Sequence, residues 1–357
     1  MPSSVGFDPT SLQGSLQGWL EAQLPDADDV LVSGLNAPSA TGHSSETVLF
    51  DATWVQDGER HEDSFVLRTA PSGHTVFPTY DLREQFEVMR RVAAAAPSVP
   101  LPPLHWYEAD PSHIGGEFIV MGRVDGQVPP DRMPYTMEGW LLETSTPEQQ
   151  RELQDSAIDA LADIHMIDWR AAGLEILDRP ELGATGLDQQ LRYYEDFLAW
   201  GRGDHPHDRF HEVGRWLRAN APDPEPEPVL NWGDARIGNI IFRDHRPAAV
   251  LDWEMASLGP RQVDLAWFCL FERFFSQELG MPNLPGFAPM DEVIARYEAR
   301  TGAEVGDLGW YTAWGAYRYA LVMMRICQAE SIAEIEGFPE DDNVATIMLD
   351  RVMDEVA

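Results

Sequence analysis

Apolar positions over residues 12–24 recur at helical spacing, and the pattern then changes to one of strands. Residues 47–55 are rich in β-formers, Asp57-Gly58 marks a tight hairpin, and the segment SFVLRTA, residues 64–70, returns beside it. Asp81 opens a helix with Leu82, Phe86, Met89 and Ala93 on one face, and Pro97 stops it. Two further strands, 104–108 and 117–124, flank a turn rich in Pro and Gly. Strands, one helix and more strands predict an α+β first lobe. Beyond Gly126 the apolar spacing becomes helical over long stretches, as in 147–167, where Leu153, Ile158, Leu161 and Ile164 approximate one face. The acidic, proline-rich run at 221–228 cannot continue a helix and leads into two short strands, 240–242 and 248–251. Helices are then expected at 263–275, 290–301 and 310–330. The expected organisation is a first lobe over 1–123 and a larger, mainly helical lobe over 124–357.

Composition narrows the function. The formal charge of −35 repels phosphate backbones and anionic lipid, so neither nucleic acid nor a membrane is expected as a partner. No apolar run approaches the roughly 20 residues that a membrane-spanning helix needs. The start of the chain lacks a basic leader followed by an apolar stretch, which predicts a cytoplasmic protein. Cys269 and Cys327 are far apart and read as buried free thiols. The sequence contains no lysine, so a GxxxxGK phosphate loop is excluded, and any cationic side chain on a phosphate must be arginine or histidine.

The densest chemistry lies in LNWGDARIGNIIFRDHRPAAVLDWEMASLG. Asp234 precedes Asn239 by a D-x-x-x-x-N spacing, and Asp252 follows a short hairpin. Phosphoryl transfer needs hard oxygen ligands for magnesium and an acceptor for the attacking hydroxyl's proton, and these three residues supply both. Asp, Gly and Asn are also the commonest turn residues, so each alone reads equally as a turn. The run GDARIGNIIF followed by VLDWEMASLGPRQVDLAWF resembles the aminoglycoside phosphotransferase and choline kinase superfamily, in the branch related to kinase-like domains fused to some acyl-CoA dehydrogenases. That resemblance implies a bilobal protein-kinase-like fold, with ATP and Mg2+ as cofactors and a small-molecule hydroxyl as acceptor. It makes Asp234 the catalytic residue, Asn239 and Asp252 the metal ligands, and Asp264 a brace for the loop. Trp232 departs from the family, which usually has histidine there.

In the first lobe, GHSSET resembles the family's nucleotide loop: Gly42, Ser44 and Thr47 match, and Ser45 replaces asparagine. Such short segments are also ordinary turns. Arg68 occupies the place where kinase-like folds carry a phosphate-binding lysine. Glu84 is its candidate carboxylate partner, although Asp81 and Glu84 also have the spacing of a helix capping box. The segment FIVMGRVDG would offer the backbone of Met121 to Arg123 to adenine. His205, His207 and His211 invite a transition-metal reading, but histidines in a polar segment are commonly solvated. The expected function is therefore an ATP-dependent small-molecule kinase, for an aminoglycoside-like or hydroxyacyl-CoA-like acceptor. The alternatives are an inactive nucleotide-binding regulator and a metal-dependent hydrolase.

Overall fold

The computed structural model describes residues 9–36, 46–71, 73–131, 133–203, 206–328 and 342–356. The chain divides into two compact units, Met1–Glu87 with Pro102–Val124, and Val88–Leu101 with Asp125–Ala357.

The first unit holds α1 (Pro9–Gln23) and an antiparallel five-stranded sheet of β1 (Ala27–Asn36), β2 (Glu46–Gln56), β3 (Glu59–Thr69), β4 (Leu104–Glu108) and β5 (Phe118–Gly122), in the order β1-β2-β3-β5-β4. Its core joins Leu16, Trp19 and Leu20 of α1 to Phe50, Phe65, Leu67, Phe118 and Val120 of the sheet. Trp19 stands edge-on to Phe118 with ring centroids 4.9 Å apart, and its indole N–H donates to Glu108 at 3.0 Å. Asp57 and Gly58 both lie at positive φ, 53° and 79°, which suits the two-residue turn that matches strand twist. β3 is longer than the sequence pattern suggests, because its first half is polar yet pairs residue for residue with β2. β1 was not legible: its register shifts twice, so apolar alternation breaks along it.

Along β3, Phe65, Leu67 and Thr69 are buried on one side, and Val66 and Arg68 take the other. Arg68 pairs across the ladder with Thr47 of β2 and Ile119 of β5. The helix α2 (Leu82–Ala95) begins where Asp81 accepts the Glu84 backbone N–H at 2.8 Å, a side-chain cap at the predicted start.

The second unit is mainly helical: α3 (Trp140–Glu143), α4 (Pro147–His165), α5 (Gly186–Gly201), α6 (Asp208–Ala219), α7 (Gln262–Phe275), α8 (Met290–Thr301), α9 (Gly309–Cys327) and a final described helix, Val344–Val356. α4 starts at a full capping box, Thr146 with Gln149, and has Pro147 in its first turn. Two small ladders interrupt the helices: β6 (Pro228–Asn231) with β9 (Ser257–Pro260), and β7 (Ile240–Arg243) with β8 (Arg246–Val250). The second is the hairpin expected from sequence. The first pairs segments separated by that hairpin, a long-range match that local pattern does not reveal. Both cysteines are buried free thiols.

Acidic residues of α4 are matched by arginines. Asp155, Asp159 and Asp163 recur at every fourth position and meet Arg296 and Arg300 of α8, with Arg296 donating to both Asp159 oxygens at 2.8 and 2.6 Å. These groups help to line a cavity of about 650 Å³ that shares no residue with the Asp234 cluster described below.

One buried acid stands apart from these pairs. Glu272 of α7 is 5% exposed and accepts from Gln154 Nε2 at 2.9 and 2.8 Å. Burial raises its pKa from 4.5 to about 8, although the Gln154 bond opposes the shift. A carboxyl raised in the folded state stabilises below its unfolded pKa and loses that contribution as pH rises through the folded value. Thermal stability should therefore decline between about pH 5 and 8, by an amount on the order of a few kcal/mol. Glu272→Gln should flatten that decline; a melting profile with wild-type pH dependence in the variant would contradict this.

Candidate active site

The segment after β6 is held by its backbone. Trp232 N–H donates to Asp264 Oδ2 at 2.6 Å and Gly233 N–H to Asp264 Oδ1 at 3.0 Å. Asp264, on α7, is fully buried and also meets His165 Nε2 at 3.2 Å, while His165 Nδ1 lies 2.7 Å from the Tyr297 hydroxyl. A carboxylate only accepts, so Nε2 is the donor in the first contact, and in a neutral imidazole Nδ1 then accepts from the Tyr297 hydroxyl. Asp264 is thus a loop brace, as the resemblance implied. Gly233 lies at φ +97°, and a Cβ there would stand 2.1 Å from Met255 O, so glycine is required.

Trp232, the departure from the family's histidine, is 1% exposed and donates its indole N–H to Leu251 O at 2.7 Å. The N–H of Leu251 in turn donates to Asn239 O at 2.8 Å. Leu251 is therefore fixed through both its amide and its carbonyl. It immediately precedes Asp252, which takes a left-handed conformation at φ 54°.

Three donors converge on the Asp234 carboxylate. Trp267 Nε1 reaches Oδ1 at 2.8 Å, Arg236 Nε reaches Oδ1 at 3.0 Å, and Asn239 Nδ2 reaches Oδ2 at 2.6 Å. Asn239 Nδ2 also lies 3.1 Å from Asp234 O. Its amide nitrogen is thus committed to Asp234, and its oxygen is the atom suited to a cation. An amide oxygen and the carboxylate of Asp252 are both hard-oxygen donors, the kind Mg2+ prefers. Arg236 is clamped from its far side by Asp131. Burial works against the Arg236 charge, but Asp131 and Asp234 more than offset it and raise its pKa above the ordinary arginine range. Gly238 makes this clamp possible, since a Cβ there would stand 2.4 Å from Asp131 Oδ1. Phe271 and Tyr319 pack against Trp267, Phe274 packs behind them, and the Arg236 guanidinium lies 5.5 Å from the Phe271 ring centroid.

Sequence reasoning missed Arg236, Asp131 and Trp267. The first sits in the D-x-R of GDARIGN and the third in DLAWF, so both were visible as motif letters without a role. Asp131 carries no local signal.

Of the expected nucleotide residues, Gly42, Ser44 and Ser45 lie outside the described residues. Thr47 stands opposite Arg68 in the β2–β3 ladder. Glu84 lies in the first turn of α2. Met121 is buried in β5, paired with Val66 and Leu104. The Arg123 N–H donates to Ser64 O at 2.9 Å, so that donor is already committed. Of the histidines, His205 lies outside the described residues, His207 is buried at the start of α6 and His211 is exposed. Among the described residues, no group of three or more His, Cys, Asp or Glu side chains could hold a metal ion. None of the described helices is long and apolar enough to cross a membrane.

A strand-rich unit of five antiparallel strands and a helical unit carrying a braced D-x-x-x-x-N loop define a kinase-like phosphotransferase fold. The chain belongs to the phosphotransferase enzyme family, whose profile matches residues 43–314. Among curated proteins it is similar to acyl-CoA dehydrogenase family member 11 of Gallus gallus, with 31% identity over 266 residues covering 72% of this chain and 31% of that protein. It is also similar to the Rattus norvegicus protein of the same name, with 28% identity over 83% of this chain and 36% of that protein. The chain thus spans about a third of the length of these relatives. Among solved structures, a Ralstonia eutropha protein provisionally named an aminoglycoside phosphotransferase superposes with a TM-score of 0.67 at 21% identity, covering 96% of this chain and 98% of that one. A thermostable mutant of aminoglycoside phosphotransferase APH(4)-Ia, in ternary complex with ADP and hygromycin B, gives 0.53 at 15% identity, covering 96% and 99%.

Proposed function

We propose that the chain transfers the γ-phosphate of ATP to a hydroxyl group of a small molecule, with Asp234 as the residue that orients the hydroxyl and accepts its proton. The observation that carries this reading is the fixed Asp234 carboxylate, 18% exposed and held by Trp267, Arg236 and Asn239. A base held ready for a hydroxyl should be oriented in advance and remain reachable. Asn239 and Asp252 would hold magnesium, which when bound neutralises charge on the phosphates. Arg68, with Thr47 opposite it, would meet phosphate oxygens, and Glu84 would hold the guanidinium. Gly42, Ser44 and Ser45 would cover the phosphates, and the Met121 to Arg123 segment would meet the base. The APH(4)-Ia complex with ADP and hygromycin B supports the pairing of a nucleotide with a small molecule. Two acceptor classes are proposed: the names of the solved structures support an aminoglycoside-like one, and the acyl-CoA dehydrogenase names of the curated relatives support a hydroxyacyl-CoA-like one.

The test is an ATP-consumption screen across aminoglycosides, amino alcohols and hydroxyacyl thioesters, with Asp234→Asn as the blank. Consumption that depends on one acceptor class in the wild type alone supports the proposal. MgATP binding without consumption on any acceptor favours a nucleotide-binding regulator.

Asn239→Ala and Asp252→Ala should weaken MgATP binding about ten- to a hundredfold, as expected for loss of contacts to a charged group. Asp252 should be the more severe because it contributes formal charge. Calorimetric titrations with and without magnesium check this; wild-type affinity in both variants would place the metal elsewhere.

A further inference from the structure

Arg318, on α9, is a buried cation without a carboxylate partner among the described residues. It is 2% exposed; Nη2 donates to Gly233 O at 3.2 Å, whereas Nε and Nη1 are buried and meet no acceptor among the described residues. Its guanidinium lies 4.7 Å from the Trp267 ring centroid and 5.2 Å from that of Tyr194. Arg236, three residues beyond Gly233 in the sequence, is by contrast held by two carboxylates. Aromatic faces and one peptide carbonyl recover only part of the cost of burying a guanidinium. As scaffolding, an apolar side chain of similar length would serve better. A group kept against stability points to the site it serves.

What Arg318 touches identifies that site. The two peptides flanking Gly233 are each held: the preceding one by Asp264 through the Gly233 N–H, and the following one by Arg318 through the Gly233 carbonyl. The second of these peptides sets the direction in which the Asp234 side chain leaves the backbone. The ring beneath the guanidinium belongs to Trp267, whose indole N–H holds the Asp234 carboxylate at 2.8 Å. Arg318 thus contacts two of the supports of Asp234, the Gly233 carbonyl and the Trp267 ring, without touching it.

We infer that Arg318 is a positioning residue for Asp234, retained at a cost in stability because it fixes both the peptide and the indole on which that carboxylate depends. The inference rests on the phosphotransferase reading. In Arg318→Met, kcat should fall about a hundredfold, the scale of a misplaced reacting group, while KM for ATP stays within about twofold. The thermal midpoint should be unchanged or raised. Arg318→Lys, which keeps the charge but not the fork, should recover part of kcat. In spectra of the two proteins, the Trp267 indole N–H should exchange with solvent faster in Arg318→Met than in the wild type.

Wild-type kcat in Arg318→Met would overturn the inference, and so would an indole N–H that exchanges at the wild-type rate. A midpoint lowered by more than a few degrees would make Arg318 a scaffold residue and overturn it too. Absence of turnover in the wild type would instead count against the phosphotransferase reading, and the exchange measurement would still decide the role of Arg318.

Discussion

Asp234→Asn should lower turnover by about two to four orders of magnitude, the contribution typical of a positioned general base, with MgATP affinity within a few-fold of wild type. The structure gives a second reason for a large effect. The carboxylate accepts from Trp267 Nε1, Arg236 Nε and Asn239 Nδ2, which is one donor group more than a single amide oxygen can easily serve. An amide would turn its own NH2 toward one of those donors. The side chain should then rotate away, and both orientation and proton acceptance are lost together. Quenched single-turnover measurement of ADP formation with saturating acceptor checks this, since it separates the chemical step from product release. Turnover within tenfold of wild type would remove Asp234 from the reaction.

The second large effect belongs to Asp264→Ala. The side chain is fully buried, and its loss leaves the N–H groups of Trp232 and Gly233 and the Nε2–H of His165 without an acceptor. Breaking such a buried network costs on the order of 3–5 kcal/mol. For a domain of this size the thermal midpoint should fall by roughly 5–15 °C. The loss is both structural and functional, because the same two amides set the course of the chain into Asp234. Calorimetry should show the shift; a midpoint within about a degree of wild type would mean that the loop is held by other contacts.

Much of the candidate site was legible because its letters are local. Asp234, Gly238, Asn239 and Asp252 fall within one strand–loop–hairpin segment, whose spacing constrains where side chains go. The Asp57-Gly58 turn and the Asp81 cap were legible for the same reason: turn and cap chemistry is written in adjacent residues. What could not be read were contacts made by the fold. Asp131 meets Arg236 from a segment before α3, Trp267 reaches Asp234 from α7, and Arg318 reaches Gly233 from α9. The strands β6 and β9 are each four residues long and pair across the β7–β8 hairpin that separates them in sequence. Trp232 was visible as a departure, but its use was not: a histidine position became an indole that holds the carbonyl before Asp252.

The most direct test of the central claim is phosphorus NMR of the protein with ATP, magnesium and each acceptor class in turn. One class should give a new phosphomonoester resonance as ADP accumulates, chelation of magnesium should abolish it, and Asp234→Asn should not produce it. ATP that is bound but never consumed, or consumed only to free inorganic phosphate with every acceptor, would contradict the account.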